Sequence, residues 1–256
     1  MTVAASTADN RASRDVPGTE LFARYAYAPN ALGYCGPPLG VTLRDGSVDA
    51  VRAAATTFSG VWPYLRVLSR MTGIADPLDY RLVESYWLGG GVGADLEPGQ
   101  FTRELLDIIG PRAGGYWSHL GPDLACEAAA NHCFHVFGVY PWSRLLGRGM
   151  DAPPLNVLDS CRITWATVLS RSKNTIEVSG RELTWSGHEL GLSEPSTRQL
   201  QVSVDGYSAV PDVAAGDEVA VHWGRLCGRL RPEQIRALAD STARQLQVTN
   251  QRLARG

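Results

Sequence analysis

Near residues 147–158 the hydrophobic pattern of this chain changes period, from helical on one side of Met150-Asp151-Ala152-Pro153-Pro154 to alternating on the other. Helices repeat every 3.6 residues and strands every two, so no single regular element can run through such a change. The break therefore predicts a domain boundary. On its N-terminal side Ser47 is placed to cap a helix carrying Val48, Val51, Ala55, Phe58, Trp62 and Leu65 on one face, with Pro63 kinking or dividing it. Leu78, Leu82, Val83 and Tyr86 make a second amphipathic run ending at Gly89-Gly90-Gly91. Phe101, Leu105, Ile108 and Ile109 make a third ending at Gly110-Pro111, and Leu124 to Val136 a fourth. Residues 18–147 thus read as an all-α domain, preceded by a polar stretch, residues 1–17, expected to be disordered.

Beyond the break, short apolar-polar alternations run over 162–169, 175–178, 181–185, 189–192, 199–204 and 218–223. Turn pairs separate them, among them Lys173-Asn174, Ser179-Gly180, Ser186-Gly187 and Asp205-Gly206. So many short strands in so little chain predict a small closed or partly open, OB-like β-barrel. A final helix follows, with Pro232 in its first turn and Ile235, Leu238, Thr242, Leu246, Thr249 and Leu253 on one face. The expected class is α+β: a helical domain, then residues 158–256 as barrel plus helix.

Composition narrows the function. The 256 residues are 44% hydrophobic and 20% charged, with a net charge of -2, which leaves no global basic field for nucleic acid. No apolar run reaches the roughly 20 residues that span a bilayer, and the N-terminus lacks the apolar core of a signal peptide, so a cytoplasmic location is expected. The five cysteines are odd in number and lack CxxC spacing, which predicts reduced thiols rather than a disulfide framework or a structural zinc site.

The densest functional signal is Gly216-Asp217-Glu218-Val219-Ala220-Val221-His222-Trp223-Gly224. Its alternation sends Val219, Val221 and Trp223 to one face and His222 to the other, where it can meet a ligand. Cys161 opens the same β-rich segment. Together the two offer a mixed sulfur and nitrogen set suited to a soft transition metal. Arg162 and a protonatable His222 are expected to pull the Cys161 thiol toward neutrality. The plainer alternative is a buried thiol and a satisfied strand histidine.

Residues 161 to about 240 resemble the small hydrogenase maturation chaperones of the HypC/HupF type. The shared order is a cysteine at the first strand, a short barrel, the Gly-Asp-x-Val-x-Val-His-x-Gly strand, and a helix entered through Arg231-Pro232-Glu233-Gln234. The resemblance implies that Cys161 and His222 hold an iron carrying cyanide and carbon monoxide while it passes between a maturation scaffold and the hydrogenase large subunit. Cys161 departs from the pattern, being internal and followed by Arg162-Ile163-Thr164-Trp165 without a proline. The remainder, including the stretches 24–30 and 132–142, is similar to an actinobacterial family that implies no activity.

A second constellation lies in the helical half. His132 and His135 share one helix face, beside Cys133, at ligand-capable spacing. Cys35 sits in a rigid turn, Tyr34-Cys35-Gly36-Pro37-Pro38, suited to a nucleophile, with His119 and His135 as candidate bases. These residues define the alternative function, an enzyme of specialised metabolism whose active site is Cys35, His132 and His135 and whose barrel is a docking module. Trp62, Trp87, Trp117 and Trp142 are candidate hot spots for a protein partner. Gly89-Gly90-Gly91-Val92-Gly93 follows a helix and lacks Lys-Ser/Thr, so it reads as a helix end rather than a phosphate loop, and no cofactor-binding motif is identified.

Overall fold

Helix α1, Gly18–Ala31, is apolar on nearly every side and becomes the axis around which the other elements pack. The computed structural model describes residues 17–112 and 119–255. The N-terminal stretch expected to be disordered, apart from Pro17, and Trp117 lie outside the described residues. Gly18 starts α1 because a side chain there would strike the Leu78 carbonyl, 2.0 Å from an ideal Cβ.

Helices α2, Gly40–Asp45, and α3, Val48–Ala55, follow, the latter capped by the Ser47 hydroxyl, which accepts from the Ala50 amide at 3.2 Å. Pro63 does not kink a long helix. It lies in the first turn of a separate helix, α4, Trp62–Thr72, where a missing N–H costs nothing. Asp79 caps α5, Tyr80–Leu88, and Glu97 caps α6, Pro98–Ile109. The fourth helical run is broken up. A single turn at Pro122–Cys126 is followed by the short α7, His132–Phe134, which continues as a π-helical turn over His135–Val139.

Pro153 and Pro154 likewise open a helix rather than ending one. In α8, Ala152–Cys161, both prolines occupy the first turn, and Cys161 is the last helical residue, not the start of a strand. The strands are β1, Thr164–Ser172; β2, Thr175–Gly180; β3, Leu183–Trp185; β4, Leu190–Leu192; β5, Ser196–Gln201; β6, Glu218–His222; and β7, Arg225–Arg229. Helix α9, Pro232–Leu253, buries Leu238, Thr242, Leu246 and Thr249, the face its periodicity predicts.

The expected HypC-like barrel is not formed. The described strands make an antiparallel five-stranded sheet in the order β5-β2-β1-β6-β7 and a separate β3-β4 ribbon. Two causes keep the sheet open. Leu183 and Leu190 of the ribbon pack with Leu158, Cys161 and Leu246 of the helices, so these strands are diverted from the sheet. The edges β5 and β7 share no ladder, and Val202, Val210 and Val213 from their neighbourhood fill the concave side instead, against Val168, Val178 and Val219. The fold is mixed α+β without a closed barrel.

The two faces of β6 then separate as its alternation requires. Val219 and Val221 enter the core inside the curled sheet, while Ala220 and Cys227 join Phe22, Tyr25, Trp87, Ile163, Leu230 and Leu238 in the largest core cluster. That cluster holds residues from both sides of the 147–158 junction. Arg231–Glu84 at 2.8 Å and Arg252–Glu127 at 2.7 Å tie α9 to the helical half. Among the described residues no helix is long and apolar enough to cross a membrane.

Candidate metal centre

Proline inside α1 sets up the site. Pro29 has no N–H, so the Tyr25 carbonyl one turn earlier loses its intrahelical donor. His222, at the end of β6, donates its Nδ1–H to that carbonyl at 2.8 Å. A carbonyl can only accept, so the ring is fixed with its lone pair on Nε2. This atom is buried and makes no hydrogen bond, although the Cys161 carbonyl lies close enough to the ring to oppose its pKa shift. A ring nitrogen tied back to a carbonyl with its other nitrogen free is how metal-bound histidines are usually held.

Two further donors converge on it. Asn131 accepts from the Phe134 amide at 3.1 Å and starts the turn that carries His132, and α8 ends so that Cys161 faces this ring. The His132 Nε2 lies 3.9 Å from the Cys161 sulfur and 2.9 Å from the Cys161 carbonyl. Ligand atoms of His132, Cys161 and His222 all lie within 4.8 Å of one another, and the residues are 4%, 7% and 1% exposed. A tetrahedral ion about 2.3 Å from sulfur and about 2.0 Å from nitrogen would hold its donors about 3.5 Å apart. The cluster needs only a small contraction to hold an ion.

Tyr86 controls which nitrogen of His132 is free. Its hydroxyl lies 3.1 Å from His132 Nδ1 and 3.4 Å from the Gly60 carbonyl. With Nε2 2.9 Å from the Cys161 carbonyl, which can only accept, the metal-free ring donates Nε2–H there and accepts at Nδ1 from Tyr86. An ion at Nε2 would require the other tautomer, with Tyr86 donating to Gly60 and accepting from His132 Nδ1–H, and would require Nε2 to leave the Cys161 carbonyl.

The three donors open onto a cavity of about 240 Å³ walled by Tyr34, Tyr86, Trp87, Tyr140, Trp142 and Trp223. Among the described residues no Asp, Glu, Lys or Arg lines it. Cys35 and His135 do, although they lie outside the close cluster of donors. The leading pair, Cys161 and His222, and the alternative set, Cys35, His132 and His135, therefore share one cavity. His119 does not line it, and its Nε2 meets the Val139 carbonyl at 2.8 Å. Cys133 also lies elsewhere, in the packing between α7 and α9. Of the described candidate hot-spot tryptophans, Trp87 is only 3% exposed and Trp142 faces the cavity.

Burial sets the electrostatics. It pushes His132 down to about 4, partly opposed by the Cys161 carbonyl, and His222 down to about 3, helped by the neighbouring His132 and partly opposed by the Tyr25 and Cys161 carbonyls. His135 is likewise pushed down to about 3 by burial and then by His132. All three imidazoles are neutral at physiological pH, as ligation requires. The Cys161 thiol moves opposite to expectation, up to about 12, because burial dominates. Arg162 does not help, since its guanidinium is spent on Asp159 at 2.8 Å and on the Arg181 carbonyl at 2.6 Å. Burial pushes the Cys35 thiol up to about 11.

Trp223 also departs from the strand reading. With φ of 51° at Trp223 and 70° at Gly224, the pair forms the two-residue turn joining His222 to its partner Arg225. The turn lifts the Trp223 ring out of the strand and stacks it on Tyr34, centroids 3.9 Å apart, at the cavity rim. Sequence reasoning passed over Tyr86 and Pro29 as site residues and took Trp87 for a partner-facing hot spot. Only Pro29 carried a local signal, a proline inside a helix that must leave a carbonyl unpaired.

Residues 14–256 match a family described as a family of unknown function, DUF6390. The chain belongs to that family. No curated protein and no solved structure matches the chain.

Proposed function

We propose that this chain binds a transition-metal ion through His132, Cys161 and His222 and serves as an accessory protein in metallocentre assembly. The observation that carries this reading is the convergence of three donors from three separate elements, with the buried His222 Nε2 unpartnered among them. An unpaired buried nitrogen costs stability, about 1–3 kcal/mol, which a bound ion would offset. Thiolate and imidazole together favour soft or borderline ions, and we assign iron. That finer assignment, with nickel–iron hydrogenase maturation as its setting and the hydrogenase large subunit or a maturation scaffold as partner, rests on the likeness of Cys161 and Gly216–Gly224 to the maturation chaperones. The likeness lies in the strand and the donor types, not in a barrel. The small cavity beside the donors suits an ion that carries diatomic ligands.

The enzyme alternative is supported by Cys35 and by His135, whose buried Nδ1 has no partner, on the same cavity. A metal-free thiol mechanism is disfavoured. Burial raises the Cys161 thiol and lowers the His132 imidazole, and both shifts oppose moving the proton from one to the other. A cation at the sulfur removes that obstacle, so chemistry at this site also favours a bound metal.

The test is full-length protein purified anaerobically, alone and after co-production with a maturation scaffold. The reading expects one ion per chain, infrared bands from diatomic ligands in the co-produced sample, and loss of both with Cys161→Ala. Metal-free wild-type protein from iron-replete cells would count against the reading. Metal without diatomic bands would remove the maturation assignment and leave the metal site.

A further inference from the structure

Charge balance points to a fourth donor. A divalent ion bound by one thiolate and two neutral imidazoles carries a net charge of +1, and among the described residues no ionised side chain lines the cavity to answer it. Leaving a charge unpaired in such surroundings is costly. A second thiolate would bring the assembly to zero. Among the described cysteines only Cys35 joins Cys161 on the cavity wall. Cys126 is exposed, and Cys133 and Cys227 do not line this cavity.

We propose that Cys35 is the fourth ligand, swung onto the ion from the turn it occupies and closing a sphere of two thiolates and two imidazoles. The inference rests on the metal reading above, and the unpartnered His222 Nε2 independently marks the cavity as a ligand site. Cys35 lies outside the compact three-donor cluster, so it would reach the ion by side-chain rotation. The backbone is pinned at Cys35 itself, whose N–H meets the Pro29 carbonyl at 3.3 Å. Asn30 donates to the Cys35 carbonyl at 2.7 Å and the Pro37 carbonyl at 2.6 Å, and accepts from the Leu39 amide at 3.0 Å. Beside Cys35 in the chain, Tyr34 is 56% exposed and touches the far wall through its stack on Trp223. Cys35 is partly buried where Cys161 is fully buried, the order expected of a ligand that engages last on loading and first on release. On loading, two metal–sulfur bonds form, two S–H bonds break, both protons go to solvent, and no oxidation state changes.

The experiment is a cobalt(II) titration of the reduced full-length chain, following thiolate-to-cobalt charge transfer in the near ultraviolet and proton release in weak buffer near pH 7. Wild-type protein is expected to show a two-thiolate intensity and to release two protons per cobalt. Cys35→Ser should retain binding with about half the charge-transfer intensity and one proton released. Its affinity should fall at least about tenfold, since even loss of an outer hydrogen-bond partner costs that much. Cys126→Ser should match wild type. Cobalt bound with the same intensity and proton count in wild type and Cys35→Ser would overturn the Cys35 assignment alone and leave the three-donor site. Wild-type protein that takes up no cobalt would overturn both.

Discussion

Replacing Tyr86 by Phe removes one buried oxygen and leaves the ring in its place against Tyr64 and Trp87. The lost oxygen is the one 3.1 Å from His132 Nδ1 and 3.4 Å from the Gly60 carbonyl. In the metal-free protein His132 keeps its bond to the Cys161 carbonyl at 2.9 Å but loses the partner of its other nitrogen. A buried polar atom left unpaired costs about 1–3 kcal/mol, so the urea midpoint should fall by a corresponding amount with the slope unchanged. The metal-bound form suffers differently. With Nε2 on the ion, Nδ1 must carry the proton and has nothing to receive it. Loss of such an orienting partner weakens metal binding about 10- to 100-fold. Cobalt or zinc titration of Tyr86→Phe against wild type, with urea denaturation of both metal-free proteins, separates the two effects. Affinity within about twofold of wild type would refute the role given to the Tyr86 hydroxyl, whatever happens to stability.

Pro29→Ala should have opposite effects on stability and binding. The restored N–H competes with His222 for the Tyr25 carbonyl, so helix α1 gains up to about 3 kcal/mol of propensity while metal affinity falls about tenfold; a urea midpoint and a metal titration check both signs. Acid should destabilise the metal-free fold early. The folded-state values of His132, His135 and His222 lie near 4, 3 and 3, below the unfolded value near 6.5, so the unfolded chain binds more protons as pH falls. Stability is then full above about 6.5 and is lost as pH drops toward 4 and 3, by on the order of 2 kcal/mol per imidazole by about pH 5. Urea midpoints that do not move between about pH 7.5 and pH 5 would show that these rings are not buried neutral.

Much of the local structure was legible because it is decided by neighbours in sequence. Ser47 caps where its spacing says it should, Gly89 ends α5 with φ of 77°, and β6 sorts Val219 and Val221 from Ala220 and His222 by simple alternation. The prolines misled because position within a helix decides their effect. Pro63 and Pro153 are read equally well as breaks or as first-turn residues until the helix start is known. Barrel closure was out of reach for a different reason. Whether β3 and β4 join the sheet depends on α8 and α9 offering Leu158 and Leu246 to Leu183 and Leu190. The site was legible as donor types and not as a set. His132 meets Cys161 across 29 residues of chain, and His222 meets the Tyr25 carbonyl across 197. Spacing within a motif cannot register such pairs, so residues assigned to two competing readings proved to line one cavity.

The most direct test of the central claim is the stoichiometry of metal binding to the reduced full-length chain and to three single variants, His132→Ala, Cys161→Ala and His222→Ala, with His135→Ala as the comparison. The account predicts one ion per wild-type chain and a thermal midpoint that rises with added metal, by the equivalent of about 2.7 kcal/mol at a hundredfold excess over Kd. Each of the three variants should lose that rise, and His135→Ala should keep it. Binding that survives all three substitutions, or that disappears only with His135→Ala, would contradict the account.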